Sequence, residues 1–258
     1  YYTSNEGQTE SVSDLISENY QQPGSRAILV LPDGRELDLK NEKSRQELVK
    51  NAGSLSVSEE SLTYGNVVEP DSVEVYHTLV VPRGGEYILT LSDSTVVYLN
   101  AESSLTYPVS FKGNKRKVTL AGEAYFKVKR NEKKPFVVKA RQVEVLVLGT
   151  TFGIRAYEEE QDIQTTLESG KVLVSTRERE VNLVPGEQAV FDKSTLSLEV
   201  REVDVNVFLA WKDGRLKYDN CTLEQIMADL GRWYKFDVFF GRSEVRSYRF
   251  SIDMRRHD

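Results

Sequence analysis

The eleven residues from Val118 to Val128, Val-Thr-Leu-Ala-Gly-Glu-Ala-Tyr-Phe-Lys-Val, constrain the fold more than any other part of the chain. Val118, Leu120, Gly122, Ala124, Phe126 and Val128 are apolar or small, while the positions between them include Thr119, Glu123 and Lys127. A period of two puts one set on a core and the other in water, which predicts a half-buried antiparallel strand. No nucleophile stands beside a base here. The segment points to framework, not to a catalytic motif.

The same texture runs from Arg26 to about Val203. Leu29 and Leu31, then Asp33-Gly34, then Leu37 and Leu39 predict a hairpin, because Asp-Gly supplies the positive φ angles of a tight turn. Ile28, Leu29, Leu31, Asp33 and Leu39 align with Ile88, Leu89, Leu91, Asp93 and Leu99, and Gly24 aligns with Gly84. Two copies are too few for a repeat solenoid and suggest one supersecondary unit used twice. Between them, the insertion Lys40 to Asn66 predicts a helical turn over 44–49 and strands at 55–57 and 62–64. Short strand-like runs follow to residue 203, punctuated by Pro108, Gly113-Asn114, Pro135, Gly149, Gly170 and Pro185-Gly186. The expectation over residues 26–205 is a mainly β domain: an antiparallel sandwich, barrel or curved, solenoid-like two-sheet stack. Residues 1–25 read as a polar tail with at most a short helix around 12–20.

After Trp211 the period changes. Leu216 to Tyr218 predicts a strand, and Thr222-Leu-Glu-Gln225 is a capping-box pattern. Leu223, Ile226, Met227, Leu230 and Trp233/Tyr234 then give one apolar helical face. Gly231 weakens a helix, which places it near the end. Phe236 to Phe240 and Ser247 to Ile252 predict strands again, making residues 206–258 a small α+β module of β-α-β-β order.

Residue chemistry narrows the function. A formal charge of −6 argues against a nucleic-acid binder, and Lys112 to Lys117 reads as a solvated turn. No apolar run approaches a bilayer span. The chain opens on Tyr1, so the expectation is that it is cut from something longer. His77 and His257 are the only histidines, too few for a metal-binding β-barrel, and His77 reads as a half-buried strand residue. Glu158-Glu159-Glu160-Gln161-Asp162 reads as a solvated acidic loop. Leu148-Gly-Thr-Thr-Phe-Gly-Ile154 reads as a bulge or bend joining two strands. Cys221 cannot form an internal disulfide and reads as a small buried thiol. No catalytic, metal or cofactor site is predicted.

An ordered series of fragments then resembles one family. It begins with Val81-Pro-Arg-Gly-Gly-Glu-Tyr87, Leu89 to Pro108, Phe111, Arg116 and Leu120-Ala-Gly-Glu-Ala-Tyr-Phe-Lys-Val128. It continues through Lys134-Pro-Phe-Val-Val138, Val147-Leu-Gly-Thr-Thr-Phe152, Leu167-Glu-Ser-Gly-Lys-Val172 and Leu183-Val-Pro-Gly-Glu-Gln-Ala189. It ends with Trp211-Lys-Asp-Gly214, Leu223-Glu-Gln-Ile226 and Leu230-Gly-Arg-Trp-Tyr234. Together, over about residues 23–258, these resemble the periplasmic region of FecR-type transmembrane anti-sigma factors of the Bacteroidetes kind. The last part is similar to a partial STN-like module. Ser92 and Ser94 replace the Pro and Gly usual beside Asp93, which predicts a looser turn, and Gly153 replaces a frequent Asn.

The resemblance implies a periplasmic signal receiver, anchored to the inner membrane through a helix preceding Tyr1. The implied partners are the signalling domain of a TonB-dependent outer-membrane receptor and an extracytoplasmic-function sigma factor, the latter held by a cytoplasmic segment. It implies neither an enzyme nor a cofactor. Trp211, Tyr218, Trp233, Tyr234 and Phe236 are the candidate partner-binding residues, with a seam-filling role as the alternative. A carbohydrate-binding or adhesin-like β-sandwich is the second reading, and a glycoside hydrolase the third.

Overall fold

The computed structural model describes residues 23–51, 55–65 and 74–256. The helix expected around 12–20 lies outside them. The body is two sheets that share one strand and enclose a single apolar core. The first sheet runs Glu36–Asp38, Ile28–Val30, Tyr76–Val81, Ser103–Pro108, the first half of Arg116–Lys127, Phe136–Ala140, Val143–Val147, Val172–Ser175 and Glu180–Leu183. The second runs Leu55–Val57, Ser61–Tyr64, Gly85–Thr90, Val96–Leu99, the second half of Arg116–Lys127, Thr151–Ala156, Asp162–Ser169, Glu187–Asp192 and Leu198–Glu202. Gly24–Ser25 adds in parallel at the start of Gly85–Thr90.

The segment that opened the sequence reading is therefore the hinge of the whole body. Ala121 still pairs with Ser104 in the first sheet, and Gly122 already pairs with Ala156 in the second. Gly122 makes the corner at φ +86°, and a Cβ there would lie 2.4 Å from Ser103 Oγ and 2.6 Å from the Glu102 carbonyl oxygen. Only glycine combines that dihedral with that approach. Beyond the corner the outward residues are covered as well: Glu123 and Tyr125 are buried, against the expected alternation. The cause is a second layer, the C-terminal module, lying on that face. Phe126 stacks on Phe152 at 5.1 Å between ring centroids, and Phe136 from the first sheet approaches Phe126 at 6.3 Å, so both sheets meet in one core.

Three strand pairs are parallel, which a purely antiparallel expectation does not include. A parallel pair needs a crossover. For Ser61–Tyr64 with Gly85–Thr90, and for Arg116–Lys127 with Phe136–Ala140, chain passing through the opposite sheet supplies it.

Both predicted hairpins form, with matching turns. The amides of Leu31 and Gly34 bond to Arg35 and Leu31 carbonyls, and those of Leu91 and Ser94 to Thr95 and Leu91 carbonyls, all at 2.9 Å. Ser94 takes φ +67° where Gly34 takes +84°. Asp93 secures the second turn by accepting from the Thr95 amide and hydroxyl and from buried Arg116 at 2.6 Å, so that turn is not looser. The hairpins lie in different sheets, one at an edge and one inside, so the likeness is local and does not make them equivalent units. The insertion forms helix α1 (Glu42–Asn51) and strands Leu55–Val57 and Ser61–Tyr64. His77 is half-buried, its Nδ1 2.6 Å from the Tyr64 hydroxyl.

The stretch read as a bend, Leu148 to Ile154, contains the start of a central strand, Thr151–Ala156, after a bulge at Thr151/Phe152. Gly153 is needed for another reason: a Cβ there would meet Leu209 Cδ2 at 2.4 Å.

The module consists of helix α2 (Val205–Leu209), a 3-10 turn (Ala210–Asp213), the strand Arg215–Thr222, helix α3 (Leu223–Tyr234) and the strand Arg249–Arg255. Both arms of the Thr222/Gln225 capping box are made. The two strands pair antiparallel as a ribbon, and among the described residues neither has another ladder partner. The order is β-α-β, not β-α-β-β, because Phe236 to Phe240 is not a strand. Lys235 ends the helix in the left-handed region at φ +61°, and the following chain folds back over it. The Phe236 carbonyl then lies where a Cβ on Gly231 would be 2.7 Å away, and accepts from Arg83 instead of joining a ladder. Cys221 is half-buried at the end of the ribbon strand.

Candidate functional site: the module's seam and its open face

Helix α3 meets the body through charge. Arg155, from the central strand Thr151–Ala156, reaches Glu160 and Asp229 at 2.6 Å each and Glu123 at 3.4 Å. Arg232, one turn beyond Asp229, bonds Asp229 and Glu160 at 2.8 Å each and also Glu159, with its guanidinium 3.9 Å from the centre of the Tyr157 ring. Two of the carboxylates expected in a solvated loop thus bind the helix. An isolated acidic run is solvated by default; here Arg155 from the preceding strand and Arg232 from distant sequence approach it.

The electrostatics are those of a clamp. Burial pushes the Glu123 carboxyl above its ordinary range, against the pull of Arg155. Burial works against the Arg155 charge, but Asp229, Glu123 and Glu160 together raise its pKa well above the usual value. Burial and Arg155 oppose the Arg232 charge too, and its carboxylates more than offset them. Among the described residues no group of three or more His, Cys, Asp or Glu could hold a metal ion.

The five aromatic candidates do not make one platform. Trp211 is buried with Leu209 against Tyr125 on the outer face of the second sheet. Trp233 is buried under the Arg256 guanidinium at 3.7 Å, and the Tyr234 hydroxyl donates to the Arg256 carbonyl at 2.5 Å. Tyr218 is half-buried on the ribbon, its phenol pushed up by burial. Phe236 lies at the surface. Four of the five are committed to the seam and the ribbon.

The open apolar surface lies further along the chain. Phe239 is 92% exposed, Tyr248 56%, Phe250 43%, Met254 41% and Phe236 36%. The sequence did carry this signal: Tyr248, Phe250, Ile252 and Met254 alternate along one strand. The ribbon pairs Met254 with Leu216, Ile252 with Tyr218 and Phe250 with Cys221, so these share a face. That face is covered at Leu216 and open at Phe250 and Met254. Apolar side chains beside unpaired strand edges suit strand addition by a partner.

Comparisons with known proteins agree with this architecture. The family model described as FecR protein matches residues 77–173, and the model described as FecR, C-terminal, matches residues 215–258. Two crystal structures of a protein assigned as an anti-sigma factor from Parabacteroides distasonis are similar, each at 31% identity. One, at 2.50 Å resolution, has a TM-score of 0.67 and is matched over 70% of this chain and 85% of that one. The other, at 1.65 Å, has a TM-score of 0.66 over 69% and 84%. No curated protein matches the chain. A two-sheet body with a shared bent strand, a C-terminal β-α-β module and these matches agree: the chain belongs to the FecR family of anti-sigma factors.

Proposed function

We propose that this chain is the signal-receiving region of a membrane-anchored anti-sigma regulator, lying in the periplasm. The signalling domain of a TonB-dependent outer-membrane receptor docks on its C-terminal module. The sigma factor, of the extracytoplasmic-function class, is controlled by a segment preceding Tyr1. Family membership supports the regulatory role. The observation that carries the docking is the exposed apolar side chains of Phe250 and Met254 on one face of a two-stranded ribbon that, among the described residues, has no further ladder partner, with Phe236, Phe239 and Tyr248 also exposed in the module. No helix of the described residues is long and apolar enough to cross a membrane.

Strand addition would give the receptor domain backbone hydrogen bonds, and the alternating side chains would select it. The test is a titration of the signalling domain of a TonB-dependent receptor against the chain and against a Phe239→Ser/Phe250→Ser/Met254→Ser variant. The expected result is an affinity loss of about a hundredfold, as for removal of a hot-spot cluster. Unchanged affinity in a folded variant would move the contact elsewhere.

A further inference from the structure

The turn at Pro82 to Glu86 touches both the chain entering the body and the module that follows it. On the module side, Arg83 donates to the carbonyls of Gly231 and Phe236 at 2.9 and 2.7 Å and pairs with Asp237 at 2.8 Å. The Gly84 amide donates to the Arg232 carbonyl at 2.7 Å. The Gly231 and Arg232 carbonyls belong to the last turn of helix α3 and the Phe236 carbonyl follows its C-cap Lys235, so the turn acts as a cap supplied from elsewhere in the chain. On the other side, the Gly84 carbonyl accepts from the Gly24 amide at 3.0 Å, and the Glu86 carbonyl from the Arg26 amide at 3.3 Å. Glu86 also pairs with Arg256 of the ribbon at 3.1 Å through its carboxylate.

Both glycines are required by this crowding. A Cβ on Gly84, at φ +71°, would fall 2.4 Å from Lys235 Cε; one on Gly85 would fall 3.0 Å from the Arg26 carbonyl oxygen. Gly84 is thus bonded through its N–H to the module and through its C=O to the entering chain. The entering strand, Gly24–Ser25, has a two-pair ladder. So short a strand is marginal by itself and depends on its receiving edge being held in place.

We propose that Arg83 to Glu86 couples the C-terminal module to the chain entering the body: while helix α3 sits on this turn residues 24–26 are held as a strand, and lifting the helix releases them. Such coupling is reciprocal by thermodynamic necessity. It is internal to the chain and does not depend on which partner the open face receives.

Amide hydrogen exchange on the whole chain tests it, with Arg83→Ala, the milder Arg83→Lys, and Gly24→Pro, which removes the donor on the far side. The Arg83 variants should speed exchange of the Gly24 and Arg26 amides about tenfold, the scale of losing one to two hydrogen bonds. Amides of 136–147 should keep their rates, showing an intact body. Gly24→Pro should speed exchange at Arg232, Trp233 and Tyr234. The proposal is overturned if the Arg83 variants loosen helix α3 while Gly24 and Arg26 keep wild-type rates. Unchanged rates at both places, or no response of the helix to Gly24→Pro, overturn it equally.

Discussion

Along the shared strand Arg116–Lys127, the inward residues Val118, Leu120, Ala124 and Phe126 are fully enclosed, whereas no residue of the ribbon strand Arg249–Arg255 is buried. The body holds itself together by apolar contact between two sheets. The module is attached by two arginines, their carboxylates, a carbonyl cap and a few aromatics. Apolar burial is non-directional and difficult to undo piecemeal, while an ion-paired seam depends on every partner staying in place. The body is built to persist, and the module is built to be engaged or displaced.

Substitutions can break that contrast. Phe126→Ala, in the stack with Phe152 and Phe136, should cost about 3–5 kcal/mol in chemical denaturation and lower the stability of the whole chain. A cost below ~1 kcal/mol would deny that the core carries the body. Arg232→Ala should cost about 2 kcal/mol by removing one of the two guanidinium groups that hold Asp229 and Glu160, Arg155 still pairing with both, and the loss should appear as local opening of residues 223–234 in hydrogen exchange. Uniform acceleration across the body would mean that the two regions are one cooperative unit.

Acid titration gives a smaller effect. The Glu123 carboxyl titrates above its ordinary value of 4.5, so its contribution is fully present below that value and declines as pH rises through its folded-state pKa. Glu159 is opposed by burial, but its bonds to Arg232 hold it below its ordinary value, so its contribution is present above 4.5 and is lost as pH falls. Glu123→Gln should therefore gain stability relative to wild type as pH rises from 4.5, measured by denaturation at successive pH values. A constant difference would refute the assignment. The smallest effect is expected at the open face, where Phe239→Ser should change stability by less than ~0.5 kcal/mol.

Much of the body was legible because local chemistry determined it. The alternation over 118–122, the Asp33 and Asp93 turns and the Thr222/Gln225 capping box each describe contacts within a few residues, and each formed; the alternation ends at Glu123, where the module covers the outer face. What could not be read depended on distance in sequence. Nothing local marks Gly122 as the corner where one strand changes sheets, since the reason is Ser103 and Glu102 approaching it. Arg155 and Asp229 meet across 74 positions, so an acidic run looked solvated. Phe236 to Phe240 has strand-forming residues but joins no ladder, and its first carbonyl, that of Phe236, accepts from Arg83, 153 positions away. Residue type was visible in the sequence and burial was not: Trp211 and Trp233 are buried, whereas Tyr248, Phe250 and Met254 are exposed.

The central claim is that the module, not the body, receives the partner. The most direct test is hydrogen exchange on this chain with and without saturating receptor signalling domain. The account predicts new protection across 236–254, centred on the ribbon strand Arg249–Arg255, with the body strands Val143–Val147 and Val172–Ser175 unchanged. Protection confined to the body strands, with 236–254 exchanging as in the free chain, would contradict it.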